Sequence, residues 1–156
     1  MKALLVTFAL LASVPARAAV FHPFVLGSWQ QMKTLHAGRP TIVHFWSITC
    51  EPCLAEMSLW RQLVRQETNV DIVLVSTDSI SSAKLISERI DKAGLAKADN
   101  WAFADQFTDR LYFEVSPHWQ GVLPYTVLIG RNGKTVTLVG KTDPAELKAW
   151  ISSQKS

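Results

Sequence analysis

Along this chain, compact apolar runs alternate with stretches in which apolar residues recur every three or four positions. Ile42–Trp46 and Ile72–Val75 are β-branched runs of strand length, and they predict buried strands over Thr41–Trp46 and Asp71–Ser76. Between them Leu54, Met57, Trp60, Leu63 and Val64 fall at helical spacing, predicting a helix over Pro52–Gln66 that Asn69 ends. Strand, helix, strand within this length is a βαβ unit with parallel strands. Upstream, Ala19–Gly27 reads as an edge strand, because Pro23 cannot donate to a central ladder. Ser28 is placed to cap a helix over Trp29–His36, which Gly38 and Pro40 stop. Downstream, Ile80, Ala83, Leu85, Ile86 and Ile90 predict a helix within Ser79–Gly94. Lys97–Asp105 reads as a short extended piece and Gln106–Phe113 as a turn or two of helix. Tyr125–Gly130 and Lys134–Gly140 are strands joined by Asn132-Gly133, a hairpin signal. Asp143-Pro144 then opens a closing helix with Leu147, Trp150 and Ile151 facing inward. No internal repeat, low-complexity tract or second domain interrupts this order.

The first residues do not belong to that pattern. Met1–Ala18 has a charged start at Lys2, an apolar stretch over Ala3–Val14, and small residues at Ala16 and Ala18. This is the form of a secretory signal peptide cleaved after Ala18, leaving 19–156 as the folded domain. The apolar stretch is too short to span a bilayer comfortably, and no cysteine lies near the cleavage point to carry a lipid. An uncleaved N-terminal anchor is the alternative. Composition then adds little: 48% hydrophobic residues supply a core, and the +3 net charge includes Lys2 and Arg17 of the leader. Without them 14 basic residues face 13 acidic ones, which gives no reason to expect nucleic acid or an anionic membrane surface as partner.

The chemistry lies in two cysteines, Cys50 and Cys53, spaced Cys-Glu-Pro-Cys where the first strand gives way to the helix. Unpaired N–H groups and the helix dipole favour an anion at that place, so Cys50 suits a nucleophilic thiolate. Cys53, one turn in, suits the resolving sulfur of thiol–disulfide exchange. Pro52 fits the first turn, where no N–H donor is needed. A passive staple is a weaker reading, because closing so small a loop stabilises by only about 2 kcal/mol. No second C-x-x-C exists, and His22, His36, His44 and His118 show no paired metal-ligand spacing, so no metal site is expected.

The stretch from Phe45-Trp46 to Cys50-Glu51-Pro52-Cys53-Leu54-Ala55-Glu56 resembles the active-site segment of the thioredoxin superfamily, in its TlpA/ResA-like periplasmic branch. The resemblance implies an α/β thioredoxin fold, a mixed central β-sheet with helices on both faces. It also implies roles. Gly121-Val122-Leu123-Pro124-Tyr125 resembles the cis-proline loop that faces the cysteines, with Leu123 pairing its backbone to substrate. Phe45 and Trp46 frame the site, and Trp46 is grouped with Leu123 and Pro124 on the substrate side. His44, six residues before Cys50, stands where thioredoxins carry a buried Asp, and a His there can take the proton of Cys53 or be an ordinary satisfied core residue. Glu56 resembles the cleft glutamate of the branch and shares a helical side with Cys53; a solvated first-turn acid is its other reading. Two departures stand out: Thr49 replaces the tryptophan that often precedes the first cysteine, and Tyr125 follows the proline.

The implied activity is reduction of protein disulfides in the periplasm, without a bound cofactor. The implied partners are apocytochrome c or copper-delivery proteins as substrates, and a DsbD/CcdA-type membrane protein as electron donor. A DsbA-like thiol oxidase and a copper-binding module using the same two sulfurs are the alternatives. The first usually carries a histidine inside the motif and a helical insertion; the second a longer cysteine spacing and a distant histidine.

Overall fold

The structure, a computed structural model, describes residues 19–66 and 69–154. The expected leader Met1–Ala18 lies outside the described residues. A β-branched apolar run with no polar face needs cover on both sides, and the sheet provides it. Every residue of β2 (Thr41–Trp46) is buried, and β2 pairs in parallel with β3 (Asp71–Ser79), Phe45 opposite Val75. β4 (Asp99–Phe103) runs parallel on the far side of β3, and β1 (Phe21–Phe24) parallel to β4 at the edge. β5 (Tyr125–Ile129) is antiparallel to β2, and β6 (Thr135–Val139) antiparallel to β5. The order is β1-β4-β3-β2-β5-β6. Pro23 is tolerated because β1 is an edge.

Alternation along β2 divides the core in two. Ile42 and Trp46 point to one face, covered by Met57, Trp60 and Leu63 of α2 (Glu51–Arg65), Ile86 and Ile90 of α3 (Ala83–Ala93), and Leu147 and Ile151 of α5 (Pro144–Ser153). Val43 and Phe45 point to the other, covered by Trp29 and Met32 of α1 (Ser28–Leu35), Leu111 of α4 (Thr108–Val115), and Trp119.

Three details differ from the sequence pattern. Ser28 does not cap α1. Gly27 is the N-cap, at φ 90, and the Ser28 hydroxyl instead accepts the Val25 N–H at 2.9 Å, bracing the turn before the helix. β3 continues past Ser76 to Ser79, through an irregularity in its register with β4. A 3₁₀ turn, Ile80–Ser82, then delays α3 to Ala83. At the β5–β6 hairpin the Asn132 side chain accepts the Lys134 N–H, and Gly133 takes φ 77.

Candidate active site

The cysteines sit where β2 hands over to α2, at the carboxyl end of the parallel strands. Cys50 is the N-cap of α2 in an extended conformation, and its Sγ accepts the Cys53 N–H at 3.3 Å, an otherwise unpaired donor of the first turn. The Cys50 carbonyl accepts Leu54 N–H, the first bond of the helix. Cys50 and Cys53 are joined in a disulfide. Their exposure is unequal: Cys50 is partly exposed and Cys53 is fully buried. An attacking sulfur must reach solvent and a resolving one need not.

Beside this pair lies the start of β5. Phe45 pairs with Tyr125, so Pro124 falls at the same end of the sheet as Trp46 and the loop that leads to Cys50. The Leu123–Pro124 peptide bond is cis, and Pro124 is buried. Leu123 and Cys50 both pack at the margin of the same core cluster. The Pro124 carbonyl accepts Gly140 N–H at 2.8 Å, and the Val122 carbonyl accepts the Trp119 indole N–H at 2.9 Å. Among the described residues no hydrogen bond engages the Leu123 backbone between them. Trp119 stacks on Tyr125 with centroids 4.3 Å apart, and Phe45 lies 4.7 Å from Trp119. Tyr125 therefore packs inward, so its size does not narrow the site. His118, next to Trp119, is exposed. Trp46, grouped above with the substrate contacts, is 1% exposed and shares a core cluster with Cys53. Its place is in the scaffold.

His44 lies between Ile42 and Trp46 on the face that α2 covers. It has no exposed surface, and its ring stands 4.3 Å from that of Trp60. Nδ1 is 2.9 Å from Thr126 Oγ1, and Nε2 has no partner among the described residues. Burial pushes its pKa down to about 3, so the ring is neutral. Glu56 is 3% exposed, which rules out the solvated first-turn acid. Its Oε1 accepts the backbone N–H of Thr142, just before α5, and Oε2 has no partner among the described residues. Burial pushes the Glu56 pKa up, against the pull of the Thr142 bonds and the charge of Lys141.

Sequence reasoning missed a third wall. Asp78, near the end of β3, accepts hydrogen bonds from Ser47 Oγ at 2.9 Å, Ile48 N–H at 2.8 Å and Ser76 Oγ at 2.7 Å. The available signal was an acid three residues past the buried apolar run Ile72–Val75, at the sheet end where α/β proteins place their sites. Thr126 was missed because its partner, His44, lies 82 residues away in sequence. Among the described residues no group of three or more His, Cys, Asp or Glu is placed to hold a metal, and no helix is long and apolar enough to cross a membrane.

No family model matches the chain, and comparison with curated proteins finds no match. Solved structures do match. A secreted disulfide oxidoreductase of Mycobacterium tuberculosis, homologous to E. coli DsbE, superposes with a TM-score of 0.63 at 20% identity, over 77% of this chain and 85% of that one. StoA from Bacillus subtilis superposes at 0.54 and 22% identity, over 73% and 83%. A thiol-disulfide isomerase from Corynebacterium glutamicum superposes at 0.59 and 17%, over 78% and 83%. The chain has the thioredoxin fold, an α/β architecture with a mixed six-stranded sheet between helices.

Proposed function

We propose that this chain is a periplasmic thiol–disulfide oxidoreductase of the TlpA/ResA-like kind, working as a protein-disulfide reductase. The observation that carries the reading is the cysteine pair itself: partly exposed Cys50 at the N-cap of α2, disulfide-bonded to buried Cys53, at the sheet end that also holds Leu123 and Pro124. In the reduced protein the Cys50 thiolate attacks one sulfur of a substrate disulfide. A Cys50–substrate bond forms, the substrate bond breaks, and the leaving sulfur takes a proton. Cys53 then gives up its proton and attacks Cys50 Sγ, which re-forms the protein disulfide and releases the second substrate sulfur as a thiol. Two electrons pass from the pair to the substrate, so no further cofactor is needed.

Glu56 and His44 manage the Cys53 proton in this scheme. Glu56 has a pKa raised by burial, and His44 shares the α2-covered face of the sheet with Cys53. A Cys53 thiolate formed on that face favours the protonated imidazole, which the disulfide state does not. Leu123 offers its backbone to an extended substrate segment. Candidate substrates are the haem-site cysteines of apocytochrome c or the cysteines of copper-delivery proteins, with a DsbD/CcdA-type membrane protein returning the electrons. The leader form of Met1–Ala18 supports the periplasmic site.

The test is the reduction potential of the Cys50–Cys53 pair, equilibrated against dithiothreitol and glutathione. A reductase is expected near thioredoxin's value of about −270 mV or somewhat above it. A value near −120 mV, that of DsbA, reverses the direction. Failure to exchange, together with Cu(I) binding that Cys53→Ser abolishes, replaces the reading with a copper module.

A further inference from the structure

We infer that Asp78 is a positioning residue for the attacking sulfur: its carboxylate holds the turn Ser47–Thr49 in the shape that presents Cys50. The inference rests on the oxidoreductase reading and adds a residue to it.

The turn's own hydrogen bonds all run through Ser47. The turn follows a buried strand, contains no proline or glycine, and ends at the N-cap of α2. Further bonds come from the neighbouring strand. Asp78 takes Ile48 N–H on Oδ2 at 2.8 Å and Ser47 Oγ on Oδ1 at 2.9 Å. Ser47 passes the constraint on, because its Oγ accepts Thr49 N–H at 3.2 Å and its carbonyl accepts Cys50 N–H at 3.2 Å. A continuous run of hydrogen bonds therefore leads from the Asp78 carboxylate to the backbone of Cys50. The carboxylate is fixed in turn by Ser76 Oγ, which donates at 2.7 Å and accepts Asp78 N–H at 3.2 Å.

The strand is built to allow this. The register between β3 and β4 shifts between Ser76 and Ser79, the interval that contains Asp78. Such irregularities turn a side chain out of the alternating pattern, and they recur beside active sites. Bonds to a charged acceptor are about twice as strong as neutral ones, so a carboxylate holds such a turn better than an amide or hydroxyl would. Among the described residues no Lys, Arg or His forms an ion pair with Asp78, so no cation competes with these donors for its carboxylate.

The experiment measures the rate constant for attack of the reduced protein on 5,5′-dithiobis(2-nitrobenzoate) as a function of pH, in wild type, Asp78→Ala and Ser47→Ala. The high-pH plateau reports the fully ionised Cys50, free of any change in its ionisation. That plateau is expected to fall about tenfold in Asp78→Ala, the scale for a reacting atom displaced by a fraction of an ångström. Ser47→Ala, which leaves Asp78 in place and removes one link, is expected to fall by less, with its circular dichroism unchanged. Plateaus equal to wild type in both variants, whatever their unfolding midpoints, overturn the inference and leave the oxidoreductase reading intact. A wild type that does not react overturns both.

Discussion

Burial removes the water an imidazolium needs, and at His44 that sets both charge and stability. In the unfolded chain the ring titrates near pH 6.5; in the fold it stays neutral to about pH 3. Below the higher value the unfolded state binds the extra proton. His44 therefore contributes stability fully present above pH 6.5 and lost as the pH falls towards 3, at about 1.4 kcal/mol per pH unit. Urea unfolding of wild type and His44→Gln between pH 7 and 4 is expected to show a steeper acid decline in wild type; parallel curves would remove the burial argument. The same variant reads the proposed proton role. With a model disulfide in single turnover, His44→Gln is expected to slow the resolving step by Cys53 while first attack by Cys50 stays near the wild-type rate. Glu56→Gln should act on that step too, because the amide keeps an oxygen for Thr142 N–H and loses only the titrating proton. Equal slowing of both steps would point to a general packing defect.

Between elements, the end of the sheet opposite the cysteines has its own electrostatic clasp. His36 follows α1, and its Nδ1 lies 2.7 Å from Asp71 Oδ2 at the start of β3, while Nε2 lies 3.5 Å from Asp99 Oδ2 at the start of β4. Arg39 reaches Asp71 at 2.9 Å, and His22 of β1 and the Trp101 indole face Asp99. The bond to Asp99 leads in raising the His36 pKa; burial opposes it, and Asp71 adds to the rise. A raised histidine pKa gives stability that is complete below pH 6.5 and disappears as the pH climbs through the folded value. The thermal midpoint of wild type is therefore expected to drop across that alkaline window, and His36→Gln to be less stable at pH 6 with a flatter profile. A His36→Gln curve that runs parallel to wild type would mean the imidazolium charge does not bind these elements together. None of this network was legible beforehand: His36, Asp71 and Asp99 are far apart in sequence, and only parallel strands starting at the same sheet end bring them together. The strands themselves were legible, since Ile42–Trp46 and Ile72–Val75 carry their own burial signal. So was the placement of Cys50 and Cys53, a local strand-to-helix property. Asp78 and the capping role of Gly27 escaped because one depends on a strand irregularity and the other on a backbone angle, and neither leaves a periodic trace.

At the scale of the whole molecule, the direction of electron flow is a statement about folding. The Cys50–Cys53 bond and the native fold form a thermodynamic cycle, so the potential of the folded pair differs from that of the unfolded pair by the stability difference between oxidised and reduced protein. Each 30 mV corresponds to about 1.4 kcal/mol. A strong oxidant such as DsbA is one whose reduced form is the more stable fold. That extra stability comes from a thiolate held by its surroundings. Here Cys50 lies at the helix N-terminus with the acidic Glu51 beside it and Asp78 behind the turn, and Cys53 is enclosed in an apolar core cluster. The balance does not select for the reduced state. Denaturant unfolding with and without dithiothreitol is therefore expected to find the oxidised protein at least as stable as the reduced one, by about 2 kcal/mol if loop closure alone contributes. A reduced protein that unfolds at clearly higher denaturant would mean that folding drives the disulfide open, and would assign this chain to the oxidising side of thiol exchange.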